Sequence, residues 1–313
     1  MALQRIIGRY TGTEKGPLLI CFGGMHGNEP AGILALEAIF KILATEPDRN
    51  KNFKFKGRIL GLRGNLRAMQ AKKRFILKDL NRQWTIENVT RIKATPERLL
   101  EAEDLEIKEL LAVIEAEVDG YEPEKLVFLD FHTTTAYGGI FSIPTEDPES
   151  LRIAIELHAP VIKGMLKGIR GTSLHYFSKE NFIPNTVAVC FESGQHLEPL
   201  SVSRAIAALT NCMRTIGCVT AEDVENKHDS ILIEYSKDLP KVAELITIHS
   251  IKSKDQFQMT PNYKNFQAVK KGTILANDQH GPIRAQEDGL VLMPLYQQQG
   301  DDGFFLVKEV LGF

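Results

Sequence analysis

The chain has 313 residues, 43% of them hydrophobic and 25% charged, and a formal net charge of −2. Such a composition can bury a large core, and its near-neutral balance offers no electrostatic footprint for nucleic acid or a membrane surface. No apolar run is long enough to span a bilayer, M-A-L-Q-R-I-I-G lacks the apolar core of a signal peptide, and Cys21, Cys190, Cys212 and Cys218 form no C-x-x-C pair. Free thiols in a cytoplasmic protein are therefore expected.

In chain order, 18–22 is an uninterrupted apolar run and reads as a buried strand. A helix is expected over 29–43, apolar at Ile33, Leu36, Phe40 and Leu43, with Pro30 in its first turn. Residues 58–62 read as a strand and 97–118 as a helix with a solvated face. A second buried strand, 126–131, leads to His132 and is followed by a loop over 133–148. Then come a helix over 150–166, a strand over 186–191 and a helix over 199–216. This alternation predicts an α/β fold, a three-layer, mostly parallel or mixed sheet. Near 223–228 the character changes to short runs divided by Gly, Pro and Asp, at 231–235, 245–249, 272–275, 290–294 and 304–307. These predict a smaller all-β domain over 223–313 behind a catalytic domain over 1–222. Within it K-K-G-T-I-L-A-N-D has the look of a barrel-sandwich half-repeat, but Lys270 and Lys271 read as solvated residues before a turn glycine.

The chemistry concentrates at strand ends. G-G-M-H-G-N-E-P at 23–30 carries His26 and Glu29 about one helical turn apart, and L-D-F-H-T-T at 129–134 carries His132. Two imidazoles and one carboxylate are the protein ligands of a catalytic zinc that keeps a position open for water. Both groups fall beyond the carboxyl ends of strands, where open α/β sheets bind ligands. Asp130 lies two residues before His132, on the same strand face, where it can hydrogen-bond a ligand histidine. V-A-V-C-F-E-S-G at 187–194 ends a third strand in Glu192, placed to act as general base. K-D-L-N-R-Q-W at 78–84 sets Asn81 beside Arg82, whose planar fork suits a substrate carboxylate. His175 and His196 flank the strand of Glu192 and read as packing or surface histidines that could border the site, and Trp84 reads as a packing residue.

These four strings, in this order and at these separations, resemble the succinylglutamate desuccinylase/aspartoacylase family, a branch of the zinc carboxypeptidase-like hydrolases. The resemblance covers roughly 15–215. It implies a zinc-dependent amidohydrolase that removes the acyl group from a small N-acyl amino acid, with one zinc per chain. It implies that His26, Glu29 and His132 hold the metal, that Glu192 is the base, and that Arg74 faces the developing oxyanion. Asn81 and Arg82 would bind a substrate carboxylate. The chain departs from aspartoacylases at 178–185, where S-K-E-N-F-I-P-N offers neither the arginine nor the tyrosine that helps hold the aspartate part of the substrate. A family tyrosine from the carboxy-terminal domain is replaced near Phe304 or Phe305. N-acetylaspartate is thus an unpromising substrate, with Phe182 and Ile183 expected to make that wall apolar. Two rivals remain at this point: a carboxypeptidase-like peptidase or peptidoglycan amidase, favoured by a broad groove, and a non-catalytic zinc-binding protein. A homo-oligomer is left open.

Overall fold

A computed structural model of the chain describes residues 3–220, 227–252 and 256–312. Its strands are β1 (Ile6–Thr11), β2 (Glu14–Gly23), β3 (Lys56–Arg63), β4 (Leu126–Thr134), β5 (Phe141–Pro144), β6 (Val161–Lys163), β7 (Thr186–Gln195), β8 (Val242–Ser250), β9 (Gln258–Met259), β10 (Gln267–Val269), β11 (Ile274–Asp278), β12 (Gly281–Arg284), β13 (Gly289–Leu292) and β14 (Asp302–Glu309). Its helices are α1 (Ala31–Arg49), α2 (Leu66–Ala71), α3 (Ile86–Ala94), α4 (Ala102–Tyr121), α5 (Pro148–Glu156), α6 (Met165–Gly168), α7 (Ser173–Tyr176), α8 (Leu200–Thr215) and α9 (Lys227–Ser236). Eleven strands form one mixed sheet in the order β1-β3-β2-β4-β7-β5-β6-β8-β14-β13-β10. A second, antiparallel sheet has the order β12-β11-β9. No described helix is long and apolar enough to cross a membrane.

The centre of the large sheet follows from the three apolar runs. β2, β4 and β7 are parallel neighbours buried on both faces, which is why they read as continuous hydrophobic stretches rather than alternating ones. Successive residues nevertheless feed different layers. Leu18, Ile20, Phe22 and Phe128 pack on one face, while Leu19, Cys21, Val127 and Leu129 pack on the other. The first face holds an aromatic cluster centred on Phe177, whose ring lies 4.4 Å from that of Phe128 and 5.0 Å from those of Phe22 and Trp84. Phe177→Ala should remove about 3–5 kcal/mol of stability through lost burial and the cavity left behind. A shift in the urea midpoint at constant slope would report it, and an unchanged midpoint would contradict this packing.

The structure departs from the expected elements at three places. The 133–148 loop contains β5, antiparallel to β7. The expected 150–166 helix stops at Glu156, because His158 takes a positive φ of 54° and Pro160 cannot continue a helix. The next residues form β6 instead, pairing Val161 with Val242 of β8. Residues 231–235 belong to α9, not to a strand; so short and mostly apolar a segment does not distinguish the two, and Leu232 docks into the core that also holds α8. The expected boundary between 222 and 223 lies outside the described residues. Beyond it, β8, β14, β13 and β10 extend the large sheet, and a separate core of Met259, Leu275, Val291 and Phe304 forms around the small sheet. Lys270 is solvated and pairs with Asp288 at 2.8 Å.

Candidate active site

The parallel register of β4 and β7 sets His132 directly beside Glu192. β2, on the other side of β4, ends at Gly23 and turns through Gly24 at a φ of 73°, a conformation that favours glycine. His26 and Glu29 follow before α1 begins at Ala31. Glu29 is therefore the last residue of the turn rather than the start of the helix. At Gly27 a side chain would collide with the backbone of Ala68 and Lys73, so only glycine lets the 68–74 segment close over the turn. Its amide donates to the Arg74 carbonyl at 3.0 Å, which carries Arg74 to the site.

His26, Glu29 and His132 are all buried, and one donor atom from each lies within 4.8 Å of the others. Glu29 Oε1 is 2.8 Å from His26 Nδ1, and its Oε2 is 3.2 Å from His132 Nδ1. Each ring turns its other nitrogen to an aspartate. His26 Nε2 lies 3.1 Å from Asp79 Oδ1, and His132 Nε2 lies 3.1 Å from Asp130 Oδ2. Carboxylates behind the ligand histidines fix ring orientation and raise donor basicity, the usual support for a bound metal. The Thr133 amide donates to Glu29 Oε2 at 2.9 Å and holds that carboxylate in place.

The buried charges shift one another. Burial raises the Glu29 carboxyl, but His26 and His132 outweigh it and hold the group well below the usual range. Burial likewise opposes Asp79, where His26 and Arg74 prevail and the net shift is well downward. His132 is lowered by burial, yet Asp130 and Glu29 carry it well above its ordinary value. Glu192 goes the other way. Burial, with Glu29 and Asp130 adding to it against His132 and Arg74, pushes it up to about 8. Its Oε2 is buried and has no hydrogen-bond partner among the described residues. A buried, unpartnered carboxylate oxygen beside an N, N, O donor set is the chemistry a divalent cation and its water would satisfy. The donor set fits zinc.

Arg74 stands against the group, with Nη1 3.3 Å from Glu29 Oε1 and Nη2 3.0 Å from Asp79 Oδ2. Asn81 is buried next to His132, with its amide nitrogen 3.3 Å from Nε2 and its oxygen accepting from the Ser173 amide at 2.8 Å. Arg82 is not a free fork: Nη1 donates to the Asn81 carbonyl at 2.8 Å and Nη2 to Asp302 Oδ2 at 2.5 Å. A cavity of about 50 Å³ lies among Arg74, Arg82, Thr133, His196, Asp302 and Phe305. Residues from the carboxy-terminal region roof it. Gln297 accepts from Asn28 at 2.9 Å, and Gln299 accepts from the Arg74 amide at 3.1 Å. Phe182 and Ile183 pack against the aromatic core instead, so they do not form the apolar wall expected from 178–185. Of the two phenylalanines flagged at the family tyrosine, Phe305 lines the cavity and Phe304 packs in the small core, stacked on His249.

Sequence reading missed Asp79, although it stands in the same string as Asn81 and Arg82. Its Oδ1 accepts from the Asn81 amide at 2.8 Å, a local turn that D-x-N spacing can signal. His196, read as a packing or surface histidine that could border the site, does border it, lining the cavity with Nδ1 2.7 Å from Thr133 Oγ1. His175 is turned away and closes the cap of α7. Asp301 and Asp302 carried no signal at all, because only the folding of β14 back onto the site brings them there.

Residues 15–216 match the family model described as the succinylglutamate desuccinylase/aspartoacylase catalytic domain. A probable aspartoacylase from a Nostoc species is 32% identical over 136 residues, which span 43% of this chain and 42% of that relative. The ectoine utilization protein EutE (DoeB) from Ruegeria pomeroyi, solved with product bound, superposes with a TM-score of 0.64 at 16% identity, covering 95% of this chain and 86% of its own. The corresponding values are 0.60, 17%, 94% and 82% for succinylglutamate desuccinylase from Vibrio cholerae. For murine aminoacylase 3 they are 0.59, 18%, 95% and 96%. At such identities the structural likeness establishes a shared fold.

Proposed function

Because the chain belongs to the succinylglutamate desuccinylase/aspartoacylase family, we propose that it is a zinc-dependent amidohydrolase that deacylates a small N-acyl amino acid. The observation that carries this reading is the buried His26-Glu29-His132 group with the unpartnered Glu192 carboxylate beside it. Residues 1–222 are then the catalytic unit, and Gln297, Gln299 and Asp302 from the carboxy-terminal region roof the site. The four cysteines are buried and unpaired, which supports a reducing, cytoplasmic setting.

Bound at this group, zinc would supply Lewis acidity, acidifying water and polarising the acyl carbonyl. His26, Glu29 and His132 hold the ion, and Asp79 and Asp130 keep both rings aimed through Nδ1. Glu192 takes a proton from the attacking water and delivers it to the leaving nitrogen as the C–N bond breaks. A carboxyl raised toward neutrality suits both steps, since it can accept the proton and give it up again. Arg74 faces the oxygen on which negative charge grows. Asn81 and Arg82 orient the substrate, and any substrate carboxylate must share Arg82 with Asp302. A binder would have no use for a buried base, so Glu192 disfavours the non-catalytic rival.

The alternative of a larger amide substrate has one observation in its favour. A cavity of about 1140 Å³ adjoins the small one, sharing Thr135, Leu295 and Asp301 and adding Phe75, Tyr137 and Tyr296. Hydrolysis rates on N-acetyl derivatives of aspartate, glutamate, leucine and phenylalanine, and on a dipeptide, each with and without chelator, separate the two. Chelator-sensitive release from N-acetyl amino acids is expected, with the aspartate derivative poor. Cleavage of the dipeptide alone would move the assignment to a peptidase, and a clear preference for aspartate would contradict the role given to Asp302.

A further inference from the structure

The turn into β14 brings Gly300, Asp301 and Asp302 to the wall of the small cavity that Arg74 and Thr133 border beside the candidate metal group. Asp302 holds Arg82 Nη2 at 2.5 Å, with the two side chains 14% and 21% exposed. Arg82 Nη1 is spent on the Asn81 carbonyl. Arg74 is committed in the same way, with Nε and Nη2 on Asp79 and Nη1 on Glu29. Both guanidinium groups of the cavity are thus occupied by the protein's own oxygens, mostly carboxylate. Asp301 lines the same cavity, and among the described residues no lysine, arginine or histidine pairs with its carboxylate. Asp301 is solvent-exposed at the rim of the cavity; what desolvation it has, followed by the nearby Asp79, raises its carboxyl above its ordinary value, and Arg82 does not offset them. Met293, Leu295 and Phe305 supply apolar surface in the same cavity.

We propose that Asp301 and Asp302 select substrate by charge, so that the amine released on deacylation carries a second, cationic amino group, as in a diamino acid. This rests on the amidohydrolase reading above. A side-chain carboxylate entering the cavity would face Asp301 unpaired and would have to evict Asp302 from Arg82. Like charges brought together in a partly desolvated site are a strong means of rejection. An ammonium has three donors to offer Asp301, while its methylene stem lies on Met293, Leu295 and Phe305.

Two readouts test this on the zinc-loaded protein. The first is kcat/KM for Nα-acetylornithine, Nα-acetylglutamine and N-acetylglutamate, whose side chains end in an ammonium, an amide and a carboxylate. The second is calorimetric affinity for free ornithine, glutamine and glutamate. The ornithine compounds should lead the glutamate compounds by about 10-fold or more in both readouts. Asp301→Asn should bring ornithine close to glutamine, and Asp302→Asn should raise activity on N-acetylglutamate by freeing Arg82. If Asp302→Asn lowers the melting temperature markedly, Asp301→Asn still decides, since its carboxylate supports no ion pair. Equal or better handling of glutamate by the wild type, an unchanged ratio in Asp301→Asn, or binding of none of the three amino acids would overturn the proposal. Preferential binding of ornithine without turnover of any acetylated compound would instead refute the amidohydrolase reading and leave the charge assignment standing.

Discussion

Glu192→Gln is expected to retain its metal and lose about 10²–10⁴-fold in kcat. The amide matches the carboxylate in size, so the packing around β7 is preserved, but it cannot accept a proton from water. The neighbouring strands make the test clean. Glu192 is registered beside His132 yet forms no hydrogen bond with it, and its Oε2 has no partner to lose. KM should therefore change far less than kcat, as expected when an interaction is made only on the way to the transition state. Near-wild-type kcat in a zinc-loaded variant would remove the general base from the mechanism and revive the binding-protein alternative.

His132→Ala is expected to abolish stoichiometric zinc binding and, with it, activity. The substitution removes one of the three donors that meet here among the described residues and leaves Glu29 Oε2 and Asp130 Oδ2 without the ring they share. Glu29 keeps the Thr133 amide and Asp130 keeps the Ser173 hydroxyl, but each loses a charged partner at a stability cost, so metal content must be measured on protein shown to be folded by circular dichroism. Wild type should hold about one zinc per chain, and the variant should lose its ion to a chelator that leaves the wild type loaded. Full retention of metal and affinity would place the ion elsewhere.

The placing of the candidate site residues was legible where it depends on short-range order. Parallel strands of continuous apolar character end where polar residues begin, so His132 and Glu192 announce both their strand and their end of it. Gly24 and Gly27 mark the tight turn that carries His26 and Glu29. Period-two alternation was enough to aim Asp130 at the same side as His132. The second supporting aspartate was harder, since Asp79 reaches His26 across 53 positions of chain and only its local turn with Asn81 is written nearby. Weak periodicity hid β5 and β6, which owe their existence to neighbours rather than to their own few residues. The substrate wall was the least legible part. Asp302 lies 220 residues from Arg82, and nothing local in D-D-G tells that it will occupy the arginine expected to hold a carboxylate.

Whether His26, Glu29 and His132 hold zinc within reach of Glu192 is decided by an anomalous difference map from zinc-loaded crystals. The expected result is one peak per chain at roughly 2.0–2.2 Å from Nδ1 of both histidines and from the Glu29 carboxylate, with Glu192 facing the remaining side. A peak bound by other residues, or no peak at this group in fully loaded protein, would contradict it.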